Sequence, residues 1–391
     1  MGLHRLQALQ ENLVSSGMDA CLLTHSRDIF YYTWTAQPGY LLVTPGEVAL
    51  YIRRNLAFAG EDTCLGEEAL HPVSGLSQVL QVLQEKQRKW KVLGLELDVL
   101  PAGQYLRFRE ACPDVRIVDA AGLVLQQRME KDDGEIGAMR HAARIVAAGH
   151  EKLKTLDPAG MTELQVAAAI ENEHRLQGHE GVFFMRKPDF FMSRGPFSSG
   201  ENLWQFSGIA DTVTGVGLSP ALPGGPSARV IAPGDLLVTD IPACYKGYHA
   251  DQSRTYSAGA VSAAAEDLYR QLRETFYFGL SLLQAGACCR DIYRGIMEFA
   301  RRLPFGEHFL FCGDTHSRLI GHGIGLELNE PPLLSAGDKT ILGENYTLAL
   351  EMHAFDPGVG CCKIEETVLI TKGEPEILTL EPAVLLELGG A

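Results

Sequence analysis

Four carboxylates that interrupt apolar runs constrain this chain more than any other feature. Asp240 ends Leu236-Leu237-Val238-Thr239-Asp240-Ile241, which has the composition of a buried strand. An ionised group there is costly unless it is paired or bound to a cation. Asp251 lies beyond the turn signal Tyr245-Lys246-Gly247-Tyr248. In a hairpin with an even-numbered loop centred on that signal, a separation of eleven residues (251 − 240) puts both side chains on one face. Glu351 closes the strand-like Tyr346-Thr347-Leu348-Ala349-Leu350, and Glu365 opens Ile364-Glu365-Glu366-Thr367-Val368-Leu369-Ile370. A hairpin with an odd loop folded about Gly358, within Asp356-Pro357-Gly358-Val359-Gly360, sets Glu351 opposite Glu365. Facing acid pairs repel, and divalent cations are the simplest remedy. An exposed acidic face is the ordinary reading of a lone strand Glu, but it fits poorly with acids that come in pairs inside apolar runs.

The run Arg318-Leu319-Ile320-Gly321-His322-Gly323-Ile324-Gly325-Leu326-Glu327 adds an imidazole between glycines, where bare backbone lets something come close. A single histidine in such a run is most often a core residue with a satisfied hydrogen bond. Beside four misplaced carboxylates it becomes a candidate metal ligand. Hard oxygens with one imidazole leave Mn, Fe, Co and Zn all open.

The ordered set Asp240, Asp251, His322, Glu351 and Glu365 sits in Gly-Asp-Leu-Leu-Val-Thr-Asp, Asp-Gln-Ser-Arg-Thr, Gly-His-Gly-Ile-Gly-Leu and Lys-Ile-Glu-Glu-Thr. In order and context it resembles the creatinase/aminopeptidase P/methionine aminopeptidase family. The resemblance implies an α+β catalytic domain of the pita-bread fold with a pseudo-two-fold internal repeat. It also implies two divalent ions, manganese favoured. Asp240 with the bridging Asp251 and Glu365 would hold one ion, and His322 and Glu351 with the same bridges would hold the other. Two ions sharing a water would present hydroxide to a scissile carbonyl, and Glu351 would carry the proton toward the leaving nitrogen.

The accessory positions depart from the family pattern. Gly224 follows Leu222-Pro223 where a histidine is usual, Asn329 stands seven residues after His322, and Arg318 four before it. Lys363 replaces the Arg that usually precedes the final Ile-Glu, and Met352-His353 follows Glu351 where Pro is usual. Asn329 and His316 are candidate substrate contacts in place of the missing histidines. His249 and His353 read as structural, Arg194 as a surface residue, and Cys361 and Cys362 as buried filler. The leading expectation is a metal-dependent exopeptidase, an Xaa-Pro aminopeptidase or dipeptidase, acting on small peptides. The alternatives are a non-peptidase enzyme on the same scaffold, such as an amidino-hydrolase or a lyase on a small zwitterion, and a silent binding protein.

At 391 residues the chain exceeds the usual size of one domain. Leu3, Leu6, Leu9 and Leu13 have helical spacing ending at Gly17; strand-like runs follow at 20–23, 40–43, 48–52 and 92–96, with a helix over 102–110. This alternation predicts a smaller α/β domain at 1–128, which resembles the creatinase/prolidase N-terminal domain. A polar stretch at Arg128–Asp133 then leads to a helix with the stripe Ile136, Met139, Ala143 and Val146, opening a domain at 129–391. Thr162 and Gln165 have the form of a capping box. Helices are expected again at 262–285 and 289–303.

A net charge of −15 argues against nucleic-acid and anionic-membrane partners. No segment has the apolar length of a membrane span. Nine scattered cysteines without a Cys-x-x-Cys suggest reduced thiols in a cytoplasmic protein. The resemblance further implies a homodimer.

Overall fold

The computed structural model describes residues 2–186, 194–208, 212–313 and 315–389. They fall into two compact units, Met1–Arg128 and Met129–Ala391. The first unit is built on strands β1 (Ala20–Leu23), β2 (Gly39–Thr44), β3 (Glu47–Ile52), β4 (Leu70–Pro72), β5 (Val92–Leu95) and β6 (Arg116–Asp119), in the spatial order β4-β3-β2-β1-β5-β6. Antiparallel pairs join β1, β2 and β3, and parallel pairs join the rest, as an α/β unit with helical crossovers requires.

Its helices are α1 (Gly2–Ser15), α2 (Ser26–Thr33), α3 (Leu56–Asp62), α4 (Leu76–Lys86), α5 (Ala102–Ala111) and α6 (Ala121–Met129). In α1 the buried stripe is Leu6, Leu9 and Leu13, whereas Leu3 is exposed. Gly17 takes φ 67° just past the helix, a conformation that disfavours any side chain. Arg128, expected in a polar linker, is instead buried, with Nη1 2.6 Å from Asp28 Oδ1.

The second unit opens with α7 (Asp133–Lys154) on a capping box of Asp132 and Glu135, and α8 (Glu163–Leu176) on one of Thr162 and Gln165. Ile136, Met139, Ala143 and Val146 are buried along α7. The helices pass so closely that a Cβ on Gly149 would lie 2.1 Å from His174 Nε2. Strands β7 (Phe197–Ser199), β8 (Leu236–Asp240), β9 (Ala243–Tyr245), β10 (Tyr248–Ala250) and β11 (Ser253–Ala258) follow.

A second helix pair, α9 (Ala263–Leu282) and α10 (Cys289–Ala300), precedes a second set of strands: β12 (Phe311–Cys312), β13 (Thr315–His316), β14 (Leu319–Gly323), β15 (Glu330–Ser335), β16 (Thr347–Asp356), β17 (Gly360–Leu369), β18 (Glu376–Ile377) and β19 (Leu386–Leu388). The recurrence of helix pair then strands is the two-fold pattern of the pita-bread architecture.

Among the described residues, two sheets frame the site, in the orders β19-β11-β8-β7 and β15-β14-β16-β17-β18. Leu272 and Phe276 of α9 and Ile296 of α10 bury against Ile320, Leu350 and Met352 of the second sheet. Removing such side chains from water contributes about 1.5–3 kcal/mol each. Strands β16 and β17 are ten residues long, so Glu351 and Glu365 lie in their middles, not at strand ends as the sequence suggests. The strand runs on past Glu351 because its ladder with β17 continues unbroken to the pair Asp356–Gly360.

Candidate metal centre

The first acid pair is set by the β9–β10 hairpin. Tyr245 pairs with Tyr248 around a two-residue loop, and the same register carries Asp240 opposite Ser253. Asp251 is two residues from Ser253, so the two aspartates are diagonal neighbours on one face. The second pair is direct: Glu351 stands opposite Glu365, and Asp356 pairs with Gly360 across the three-residue loop centred on Gly358. Gly358 N–H donates to Asp356 Oδ1 at 2.7 Å, which nucleates that turn.

His322 enters from β14, opposite Ala349 of β16, two residues from Glu351 and on its face. A Cβ on Gly321 would lie 2.4 Å from Ala349 O, and one on Gly323 would lie 2.2 Å from Pro331 O. What comes close to the bare backbone is therefore the carbonyls of the flanking strands. Only a carbonyl, Gly323 O at 3.0 Å, meets His322 Nδ1, so Nδ1–H donates there and Nε2 is turned toward the acids, 3.8 Å from Glu351 Oε1.

These five side chains supply two overlapping donor sets. Asp240, Asp251 and Glu365 form one, His322, Glu351 and Glu365 the other, and within each the donor atoms lie within 4.8 Å of one another. Glu365 belongs to both. Asp240, Asp251, His322 and Glu365 are buried, and Glu351 is the one partly open to solvent.

Lys363 enters the same cluster. Its Nζ lies 2.6 Å from Asp240 Oδ2, 2.9 Å from Glu351 Oε2 and 3.3 Å from Glu365 Oε2. Burial alone would favour the neutral amine, but Asp240, Glu351 and Glu365 outweigh it and hold the ammonium charged well above the usual lysine range. One ammonium does not balance four carboxylates. Burial, then Asp240, pushes Asp251 well up, and burial, then Asp251, does the same to Glu365. For Glu351, burial is outweighed by Lys363 and His322, and its carboxyl falls below the ordinary range.

The motif after Asp251 braces the cluster. Ser253 Oγ donates to Glu365 Oε2, and Thr255 Oγ1 both donates to Lys363 O and accepts from Lys363 N–H. The buried Arg254 donates to Glu365 O at 2.9 Å and pairs with Glu366, which also accepts from Gln252 at 2.8 Å. Strand β11 is thus bonded through its side chains to β17, and the two acid-bearing sheets hold a fixed spacing.

A scan against family models matches metallopeptidase family M24 over residues 137–372, more than half of the chain, and the creatinase/prolidase N-terminal domain over residues 5–130. The chain belongs to metallopeptidase family M24. It is 26% identical to the Xaa-Pro dipeptidase of Pyrococcus horikoshii over 96% of each sequence. Among solved structures it resembles the Xaa-Pro dipeptidase from Bacillus anthracis, with a TM-score of 0.84 and 26% identity over 99% of this chain and 100% of that one. It also resembles the X-Pro aminopeptidase from Thermotoga maritima, with a TM-score of 0.80 and 25% identity over 98% and 99%. As an M24 member it is a metal-dependent peptide hydrolase, with peptide substrates and divalent metal chemistry.

The donor set fits that chemistry. It is rich in oxygen with one correctly presented imidazole, and Asp251 Oδ1 is buried with no hydrogen-bond partner among the described residues. An orphaned, buried oxygen on a member of an acid cluster is what a cation would satisfy.

The accessory positions lie as follows in this M24 chain. Asn329 is half-buried after the His322 strand, and His316 is exposed, with Nε2 3.0 Å from Glu307 O. Arg318 is exposed, and Gly224 has φ 101°, where a histidine would be strained. His249 is fully buried, with Nδ1 2.8 Å from Gly325 O, and His353 is buried 3.1 Å from Phe311 O. Cys361 and Cys362 are buried. Arg194, half-exposed, is 3.8 Å from Glu171. Sequence reasoning noted Lys363 only as a replaced Arg and gave Ser253 and Arg254 no role. The period of two along β17 already put Lys363 on the face of Glu365.

Proposed function

We propose that the chain is an Xaa-Pro aminopeptidase or dipeptidase that hydrolyses the N-terminal peptide bond of small peptides at a centre of two divalent ions, manganese favoured. Asp240, Asp251, His322, Glu351 and Glu365 are its ligands, with Asp251 and Glu365 as bridges. The observation that carries this reading is the pair of donor sets overlapping at Glu365. Relatives named Xaa-Pro dipeptidase over nearly the whole chain support the substrate class.

When bound, the ions supply positive charge that acidifies water and polarises a carbonyl. The chain's own residues do the rest. Glu351, the one acid of the centre partly open to solvent, takes the nucleophile's proton at a carboxylate oxygen and returns it to the leaving nitrogen. His322 is locked by the Gly323 carbonyl with Nε2 free to ligate. Asn329 and, second, His316 contact the substrate in place of the missing histidines.

A homodimer and a cytoplasmic location complete the reading. All nine cysteines are free, which supports the location, and no helix among the described residues is long and apolar enough to cross a membrane. The test is release of the N-terminal residue from Xaa-Pro against Xaa-Ala dipeptides by metal-stripped protein resupplied with Mn, Co or Zn. Metal-dependent turnover of Xaa-Pro is expected; inertness on every dipeptide with every metal, beside turnover of a non-peptide amidine or zwitterion, would overturn it.

A further inference from the structure

We propose that Lys363 is a resident counter-cation of the metal centre, so that loading the centre requires its ammonium to leave the shared carboxylates. The inference rests on the metal-centre reading above. The geometry is specific. Nζ touches Asp240, which belongs to the first donor set only, Glu351, which belongs to the second only, and Glu365, which belongs to both. A group placed to neutralise one carboxylate would meet one of them; this one straddles both ion positions.

Among the described residues no other lysine or arginine is ion-paired to these four carboxylates, and the side chain of Lys363 is 1% exposed. Its backbone is fixed on both sides, by the Thr255 hydroxyl and by the ladder pair with His353, so the stem cannot avoid the cluster by shifting the strand. Departure of the ammonium is therefore left to the four-carbon stem, whose Nζ meets Glu351, the one acid of the centre partly open to solvent.

Two consequences separate this from a merely structural lysine. With the ammonium present, the acid cluster is partly neutralised, and a divalent ion arriving at the same oxygens meets a like charge. Without it, the acids repel one another and attract cations more strongly. A structural brace would act in the opposite sense, since its loss would loosen the donors and weaken metal binding.

The experiment is calorimetric titration of metal-stripped, full-length protein with Co2+ and with Mn2+, comparing wild type, Lys363→Met and Lys363→Arg. Lys363→Met should bind at least about tenfold more tightly than wild type, and its metal-free form should melt at a lower temperature that Co2+ restores. Lys363→Arg, which keeps the charge, should not gain affinity. Equal or weaker binding by Lys363→Met overturns the inference while leaving the metal centre standing. No binding by wild type and Lys363→Met alike overturns both. Should Lys363→Met fail to fold, a crystal structure of Zn2+-loaded wild type reads the same point. Nζ beyond hydrogen-bond distance of Asp240 and Glu351 supports displacement, and Nζ held against all three carboxylates with both ions bound refutes it.

Discussion

Asp251, Glu351 and Glu365 are each moved from the ordinary carboxylate range by burial and by the charges beside them. Glu365 is opposite Glu351, receives Ser253 Oγ–H and belongs to both donor sets. If it bridges, Glu365→Ala should lower the metal content from two equivalents to none by elemental analysis, and Asp251→Ala should do the same. One equivalent retained in Asp251→Ala would confine bridging to Glu365. In the proposed reading Glu351 has the separate task of moving a proton. Glu351→Gln keeps an oxygen donor but cannot accept that proton, so kcat should fall by about 10²–10⁴-fold while KM changes little, as steady-state kinetics will show. The acids were legible because ionised groups inside apolar runs are rare and therefore informative. Lys363 was not, because a lysine two residues before a glutamate reads as a surface pair until the strand is known to be buried on both faces.

At the scale of elements, close backbone approach does much of the positioning. Gly323 lets β15 lie against β14 beside His322, and its ideal Cβ would collide with backbone, which has no rotamer to yield. Gly323→Ala should therefore cost about 1–3 kcal/mol or more in urea unfolding of the metal-free protein and lose metal affinity with it. Gly149, against His174 and Ile170, is a comparable contact between α7 and α8, remote from the acids. Capping boxes at Asp132 and Thr162 and turn chemistry at Gly247 and Gly358 are local signals, and the elements they punctuate could be read from sequence. Helices α2 and α4 could not. Helix α2 is short and rich in aromatics, Ile29 to Tyr32, and α4 lacks a side-chain cap, so tertiary packing decides both. The lengths of β16 and β17 were also hidden, because Met352-His353 gives no strand signal before the ladder is formed.

Over the whole molecule, buried histidines couple folding to pH. Burial, and then His179, lowers His174 to about 4, and burial, and then Lys363, lowers His353 to about 4. A histidine whose folded pKa is depressed stays neutral in the native state while the unfolded chain binds a proton. Stability is therefore full above about pH 6.5 and is lost as pH falls toward 4, at up to about 1.4 kcal/mol per pH unit for each group. Asp251 and Glu365, with raised pKa values, act with the opposite sign. The clean readout is the difference between wild type and His174→Gln in metal-free urea unfolding, which should widen in favour of the variant between pH 6.5 and 4. A constant difference would remove His174 from the account.

The middle placement of the Glu351–Glu365 pair has a kinetic consequence. Five ladder pairs separate it from the turn at Gly358 and four from the far end at Thr347–Leu369, so fraying at either end stops short of it. Amide protons around this pair should be among the slowest in the molecule to exchange with solvent, with or without bound ions. Ions can thus depart and return many times in a protein's lifetime while the vessel that receives them keeps its shape.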